Sequence, residues 1–158
     1  MKTRFLPMAL ASLAFLALGC DGDGGTTPPE VIDIRGTWSY SSLDLVGGPI
    51  TCQVTGIEAT LTQDGSSFTG TTQGGMVTCQ SGDASGSQDL SPFAITNGTI
   101  SGSSITFTIE DEGQVVNFTH TGTVSGDTMS GNVTAQFELP PPYSFPVSLT
   151  GTWTATRG

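Results

Sequence analysis

The chain has 158 residues and a formal net charge of −10, with 14 acidic residues against 4 basic ones. So few lysines and arginines cannot neutralise a phosphate backbone, and the composition therefore excludes nucleic-acid binding. The length suits one folded domain preceded by a leader.

The first 20 residues have the parts of a bacterial export signal. Lys2 and Arg4 supply the positive end, and the apolar run Phe5–Leu18 follows. That run is shorter than the roughly 20 residues that a membrane-spanning helix needs. The segment closes with Ala17-Leu18-Gly19-Cys20, which resembles the lipobox of bacterial lipoproteins, although that family usually carries Leu or Val where Ala17 stands.

The lipoprotein resemblance implies cleavage before Cys20 and lipid on that cysteine, so that residues 1–19 are a signal peptide. Several acyl chains on one residue give stable anchoring. We therefore expect a protein of the bacterial cell envelope, attached by lipid to the extracytoplasmic side of a membrane. Asp21 follows the cysteine, but the sorting rule for that position differs between bacterial groups, so inner and outer membrane both stay open. Residues 20–30 comprise the lipidated cysteine and a polar, flexible tether.

Residues 31–158 are predicted to form the folded domain. Removing the signal leaves Arg35 and Arg157 as the basic residues and gives a net charge of 2 − 14 = −12. No lysine remains, which excludes lysine-based catalysis. Ile, Val, Phe and Trp alternate with Thr, Ser and Asn over many short stretches, as in half-buried strands. The pattern predicts an all-β fold, an antiparallel up-and-down meander closing into a barrel of about eight strands.

A hairpin is predicted around the turn Gly65-Ser66, in which opposed residue numbers sum to 131. Cys52 then faces Cys79, and Gly56 faces Gly75 at a paired bulge. Because disulfides persist in exported proteins, we expect a Cys52–Cys79 bridge, with two free buried thiols as the alternative.

Further two-residue turns are predicted at Gly102-Ser103, Glu112-Gly113 and Gly126-Asp127. They bring apolar residues opposite one another: Ile100 with Ile105, Phe107 with Phe118, Ile109 with Val116, and Val124 with Met129. The same register places His120 beside Ile105 and Val133. The stretch Gln80–Gln88 is interpreted as a polar loop, and 140–146 as a stiff, proline-rich loop.

The two ends of the domain echo each other, since Gly36-Thr37-Trp38 recurs as Gly151-Thr152-Trp153. Antiparallel pairing of these segments would close the sheet and remove its edges. Both tryptophans would then lie near one mouth, with Arg157 over an indole face. Gly36, Trp38 and Arg157 resemble the lipocalin (calycin) pattern of a Gly-X-Trp on the first strand and an Arg near the chain end. The resemblance rests on three positions and implies a barrel that holds a small, mostly apolar ligand.

The candidate ligand contacts are side chains expected near the barrel mouth: Trp38, Tyr40, His120, Trp153 and Arg157. We expect inward-facing glycines to leave space for a ligand: Gly36, Gly70, Gly122, Gly131 and Gly151. Large aromatic side chains would instead fill that space. An envelope interaction module with a filled core, of inhibitor or adhesion type, is therefore the alternative, with Gln80–Gln88 and 140–146 as its surface.

Catalysis is not expected. His120 is the single histidine, and a lone histidine makes neither a metal cluster nor a catalytic pair without a nucleophile and an orienting carboxylate. Its expected role is that of a core residue satisfied by one hydrogen bond. Glu110-Asp111-Glu112 lacks the ligand spacing of a known calcium loop and is interpreted as a solvated turn. We expect no enzyme, no metal and no cofactor.

Overall fold

The computed structural model describes residues 31–110, 117–138 and 146–158. Within these ranges all regular structure is β, which confirms the predicted all-β class. The eleven strands found there are β1 (Gly36–Gly47), β2 (Ile50–Thr55), β3 (Glu58–Asp64), β4 (Ser67–Gln73), β5 (Met76–Ser81), β6 (Ala84–Asp89), β7 (Ala94–Ser101), β8 (Ser104–Glu110), β9 (Asn117–Ser125), β10 (Thr128–Glu138) and β11 (Pro146–Arg157). No helix in these described ranges is long and apolar enough to cross a membrane.

Eight strands close into an antiparallel barrel, in the order β1, β3, β4, β7, β8, β9, β10, β11, with β11 pairing back onto β1. The closing register runs from Trp38 opposite Arg157 to Val46 opposite Thr150. The predicted pairing of the first and last strands is therefore confirmed. Closure satisfies the backbone groups that an open sheet would leave at its two edges.

Three strands extend beyond the barrel. The first part of β1 pairs with β3, whereas its last residues, Asp44 to Gly47, pair with β2. Strand β2 pairs with β5, and β5 with β6, so β6 is the outer edge of this extension. The extension leaves the barrel wall at the predicted bulge, where Gly56 and Gly75 have φ of 73° and 104°. Residues other than glycine rarely adopt such positive φ angles.

The predicted register of the first hairpin is confirmed. Strand β3 meets β4 across the turn Gly65-Ser66, and Cys52 lies opposite Cys79 in β2 and β5. Their sulfur atoms form a disulfide between positions 27 residues apart. The bridge therefore joins the two strands that lead out of the barrel wall.

One predicted register is wrong by two residues. The pairs Ile100–Ile105 and Val124–Met129 form as expected. In β8 and β9, however, Phe107 lies opposite His120, not Phe118. A shift of two leaves the same side chains facing inward, so the alternation cannot distinguish the two registers.

The same shift changes the other predicted partners. Ile109 lies opposite Phe118 instead of Val116, and His120 is flanked by Phe107 and Val133 instead of Ile105 and Val133. The predicted turn Glu112-Gly113 and Val116 itself lie outside the described residues.

The stretch Gln80–Gln88 is not a loop, as the sequence suggested, but the turn region of the β5–β6 hairpin. Every residue of β6 is exposed, so this strand has no buried face that would impose alternation of apolar and polar side chains. Backbone pairing with β5 holds it in place. The 140–146 loop lies outside the described residues except for Pro146, which begins β11.

Candidate ligand cavity

The interior of the barrel divides into two halves along its axis. We call them the packed half, around Trp38 and Met129, and the hollow half, around Leu43 and Leu149. Both are built from inward-facing residues of alternating strands. They differ in what fills the space between the strands.

The packed half contains a void of only about 10 Å³. Trp38 is 1% exposed, and its indole Nε1 donates a hydrogen bond to the Ile34 carbonyl at 2.8 Å. Ile34 is itself fully buried. The Arg157 guanidinium lies 4.6 Å from the centre of the Trp38 ring, which confirms the expected cation–π contact.

Hydrogen bonds from Arg157 also hold the residues that precede β1 against the packed end of the barrel. Its Nη1 donates to the Arg35 carbonyl and its Nη2 to the Asp33 carbonyl, both at 2.6 Å. Its Nε donates to the Asp127 carboxylate at 3.1 Å. Gln63 adds a second fastening, since its amide oxygen accepts from Ile34 N at 2.8 Å. The chain therefore enters the barrel at its packed end.

The hollow half contains a partly enclosed cavity of about 130 Å³. Among the described residues its lining is apolar apart from two polar side chains, Thr72 and His120. The Thr72 hydroxyl already accepts a hydrogen bond from Phe93 N. The lining residues are Leu43, Leu45, Cys52, Val54, Ile57, Thr72, Val77, Cys79, Leu90, Phe93, Ile109, Phe118, His120, Ala135 and Leu149. Five of these lining residues are only partly buried and mark the mouth of the cavity: Val77, Cys79, Leu90, Phe93 and Phe118.

An aromatic layer separates the two halves. The His120 ring stacks on Phe107 with centroids 4.5 Å apart, and it meets Trp153 and Tyr40 edge-on at 5.3 Å and 6.1 Å. Phe107, Trp153 and Tyr40 line the small void of the packed half, whereas His120 lines the large cavity. His120 therefore forms part of the cavity floor.

The protonation state of His120 follows from its surroundings. Its Nδ1 lies 3.2 Å from the Phe118 carbonyl oxygen. A carbonyl oxygen can only accept, so Nδ1 carries the proton. Burial lowers the pKa of His120 to about 4, and the ring is neutral at pH 7. The predicted single hydrogen bond is confirmed, but Nε2 is buried with no hydrogen-bond partner among the described residues.

The five predicted contact residues do not share one surface. Trp38 and Arg157 lie at the packed end, Tyr40 and Trp153 lie in the aromatic layer, and His120 alone of the five lines the cavity. Burial raises the pKa of Tyr40 above its usual range, so this side chain is also neutral. Ligand contact by these five residues stays a prediction.

The inward-facing glycines do not create the cavity, contrary to expectation. None of them lines it. A Cβ at Gly151 would lie 1.6 Å from the Asp44 carbonyl oxygen, and one at Gly131 would lie 1.9 Å from that of Thr121. Gly131 and Gly151 instead let neighbouring strands approach closely. The aliphatic lining residues, such as Leu43 and Leu149, are not among the contacts that the sequence suggests. Leu43 faces inward because the register of β1 shifts between Tyr40 and Ser42.

The described residues contain no group of three or more His, Cys, Asp or Glu side chains placed to hold a metal ion. No protein-family model matches the sequence, no curated protein resembles it significantly, and no solved structure significantly matches its fold. The interpretation of the cavity therefore rests on its own geometry and chemistry.

Proposed function

We propose that this chain is a lipid-anchored protein of the bacterial cell envelope whose lipocalin-like barrel binds one small, mostly apolar ligand without catalysis. The observation that carries the proposal is the apolar cavity of about 130 Å³ in one half of an otherwise packed barrel. Protein interiors contain few voids larger than a water molecule. A cavity of this size at one end is therefore a specific feature of the fold.

The volume limits what can enter. A cavity of about 150 Å³ lined by Leu, Ile and Phe holds one benzene molecule. Sites for drug-sized ligands are larger, about 300 Å³ or more. The buried part of the ligand is thus one ring or a chain of about six carbons, and any remainder extends through the mouth beside Leu90 and Phe93. Burying six methylene groups contributes about 5 kcal/mol, which corresponds to a dissociation constant on the order of 0.1–1 mM.

The anchoring part of the proposal is supported by Lys2, Arg4, the apolar run and Cys20 in the sequence, all of which lie outside the described residues. A disulfide between Cys52 and Cys79 fits an oxidising compartment. The chain enters the barrel at its packed end. A tether joined at that end leaves the cavity mouth accessible to soluble ligands of the envelope.

A second candidate function rests on strand β6. It is paired on one side only among the described strands, all six of its residues are exposed, and it contains neither Pro nor Lys to block pairing. An extended segment of an envelope protein would bind there by strand addition. This function corresponds to the interaction module that the sequence analysis gave as the alternative. Its binding surface is the edge of strand β6 instead of a loop at Gln80–Gln88.

Benzene is a suitable probe for the cavity. In methyl-resolved NMR of the purified protein with its disulfide intact, benzene is expected to shift the methyl signals of Leu43 and Leu149 and to leave that of Met129 unchanged. The variant Ala135→Leu, which places a larger side chain in the cavity lining, should lose this response. Shifts in neither half, or equal shifts in both halves, would contradict the ligand-binding proposal.

The lipid anchor has a separate test. Metabolic labelling with a fatty acid is expected to label the wild type and Cys79→Ser equally, and to leave Cys20→Ser unlabelled. Acylation of Cys20→Ser would show that the lipid assignment is wrong, whatever the cavity binds.

A further inference from the structure

One side of the cavity mouth is formed by residues 90–93, which we call the strap. The strap joins β6, the edge of the extension, to β7 in the barrel wall, and it has no regular secondary structure. The side chains of Leu90 and Phe93 line the cavity, whereas Ser91 and Pro92 between them are exposed. The strap therefore lies between the cavity and the solvent.

Hydrogen bonds attach the strap to the wall at its two ends. Leu90 N donates to the Gly75 carbonyl at 2.9 Å. At the other end, Phe93 N donates to the Thr72 hydroxyl at 3.1 Å, and the Phe93 carbonyl accepts from Thr72 N at 2.8 Å. Pro92 has no N–H to donate. The middle of the strap thus depends on its ends for its position.

The rest of the mouth is held more firmly. Val77 and Cys79 belong to β5, which pairs with β2 on one side and with β6 on the other, and Cys79 is bonded to Cys52. Phe118 belongs to β9, which pairs with β8 and β10. A segment held by few hydrogen bonds opens at a lower free energy than a strand that is paired on both sides. Movement at the mouth is therefore expected in the strap.

Thr72 carries a hydroxyl at a position where an apolar side chain would fill the same space. The residue is 1% exposed, and a buried hydroxyl is unfavourable unless it is hydrogen-bonded. Here the hydroxyl accepts the hydrogen bond from Phe93 N, a donor that valine at position 72 could not satisfy. The Thr72 hydroxyl therefore supplies one of the two hydrogen bonds that hold the Phe93 end of the strap.

Phe93 also contacts the barrel wall through its ring. Its centroid lies 6.4 Å from that of Phe118, with the two rings tilted by 50°. Because Phe93 belongs to the strap and Phe118 to a strand of the wall, this contact narrows the mouth while the strap is in place. Displacing the Phe93 end would widen it.

We propose that the strap is the gate of the cavity, which opens to admit a ligand, and that the Thr72 hydroxyl holds this gate closed. The proposal goes beyond the proposed function but rests on it, because it requires that a ligand enters the cavity. It adds the route of entry and the residue that controls how often the route is open. Thr72 thus acts on the rate of binding through Phe93.

The rates of benzene exchange, measured by methyl NMR relaxation dispersion on the purified protein, test the gate. Thr72→Val should release benzene about 5-fold faster than the wild type, because one hydrogen bond to the strap is lost. Thr62→Val is the matched control. It removes a hydroxyl from the exposed face of β3, where Thr62 contacts Thr69, and the exchange rates should stay at their wild-type values.

Pro92→Gly tests the strap without touching the cavity lining. Glycine gives the exposed middle of the strap more conformational freedom. Entry and release of benzene should therefore both become faster, while its dissociation constant stays at the wild-type value. A change in rate at constant affinity is the signature of a gate, as opposed to a contact with the ligand.

Amide hydrogen exchange detects the opening without a ligand. In Thr72→Val the Phe93 amide loses its acceptor directly, whereas the Leu90 amide at the other end keeps the Gly75 carbonyl. If the strap opens as a unit, the Leu90 amide should also exchange faster than in the wild type. The Val124 amide, which donates to the Ser103 carbonyl away from the strap, should exchange as before and so report that the barrel stays folded.

Each outcome decides a different statement. Benzene exchange at the wild-type rate in both Thr72→Val and Pro92→Gly would overturn the gate and leave the proposed function standing. A Leu90 amide that keeps its wild-type exchange rate in Thr72→Val would overturn the role of the Thr72 hydroxyl. If benzene binds to none of these proteins, the proposed function fails, and the gate fails with it.

Discussion

The packed and hollow halves of the barrel share strands β1, β8, β10 and β11 but differ in side-chain size and in support. The packed half is filled by Trp38 and Met129 and covered by the segment that Arg157 fastens. The hollow half is lined largely by aliphatic side chains. Its wall also diverges, because β2 and β5 leave the barrel at the glycine bulge. The comparison shows that alternation of apolar and polar residues is enough to form the strands of the barrel. Whether the interior is filled depends on large side chains and on a chain segment that covers the end of the barrel.

His120 and its aromatic neighbours mark the boundary between the halves. Stacking on Phe107 and edge contacts with Trp153 and Tyr40 give a rigid floor to the cavity. Aromatic pairs in such arrangements are stabilising beyond the area they bury. This aromatic layer separates the packed half from the cavity.

The largest effect is expected from emptying the packed half. Trp38→Ala should lower the free energy of unfolding by about 3–5 kcal/mol, because it removes a buried indole and leaves a cavity. Leu149→Ala in the hollow half should cost about 2 kcal/mol, since that side chain already faces a void and loses fewer contacts. Urea denaturation measures both values. Equal losses would mean that the hollow half is as tightly packed as the other.

Protonation of His120, at the boundary between the halves, is expected to lower the stability of the protein in acid. The folded-state pKa of His120 is about 4, below its unfolded value of 6.5. Between these values the unfolded chain binds more protons, so the free energy of unfolding falls as the pH decreases from 6.5 to 4. The full loss is about 3 kcal/mol. Denaturation at several pH values should show this loss in the wild type and a smaller loss in His120→Phe. The difference between the two losses is the contribution of His120, because the carboxylates contribute equally to both proteins. Parallel pH profiles would contradict the buried, neutral histidine.

A matched pair of substitutions compares the two halves most directly, and it has the smallest expected effects on stability. Ala155 and Ala135 are each 1% exposed, and they lie on neighbouring strands facing the small void and the cavity respectively. Ala155→Leu should destabilise by about 1–3 kcal/mol through overpacking. Ala135→Leu should change stability by less than about 1 kcal/mol, because its extra carbons enter free space. Similar losses in thermal or urea unfolding would show that the cavity is closed in solution.

The sequence predicted the wall of the barrel well, and physical reasons explain why. Apolar alternation, the turn Gly65-Ser66 and the paired cysteines together define one register in the first hairpin, and the structure has it. The antiparallel pairing of the first and last strands followed from the similarity of Gly36-Thr37-Trp38 to Gly151-Thr152-Trp153. These features depend on local geometry and on which face of a strand is buried.

The filling of the interior was not predictable in the same way. A two-residue shift in β8 and β9 keeps every side chain on its face, yet it moves Phe107 next to His120 and so builds the cavity floor. Gly131 and Gly151 suggested space, but neighbouring backbone occupies it. Where a void remains depends on the combined volume of side chains from several strands, which no single strand's pattern encodes.

The fastening by Arg157 also constrains the order of folding. Arg157 and the Arg35 carbonyl that it binds are 122 residues apart in sequence, and β1 cannot pair with β11 until both have emerged from the machinery that makes or exports the chain. Until then the growing sheet keeps two unpaired edges, which are sites for association with other chains. Closure at long sequence separation is slow. The edge of β1 that later meets β11 therefore stays unpaired for longer than the edges of the strands between them, which pair with near neighbours in the sequence.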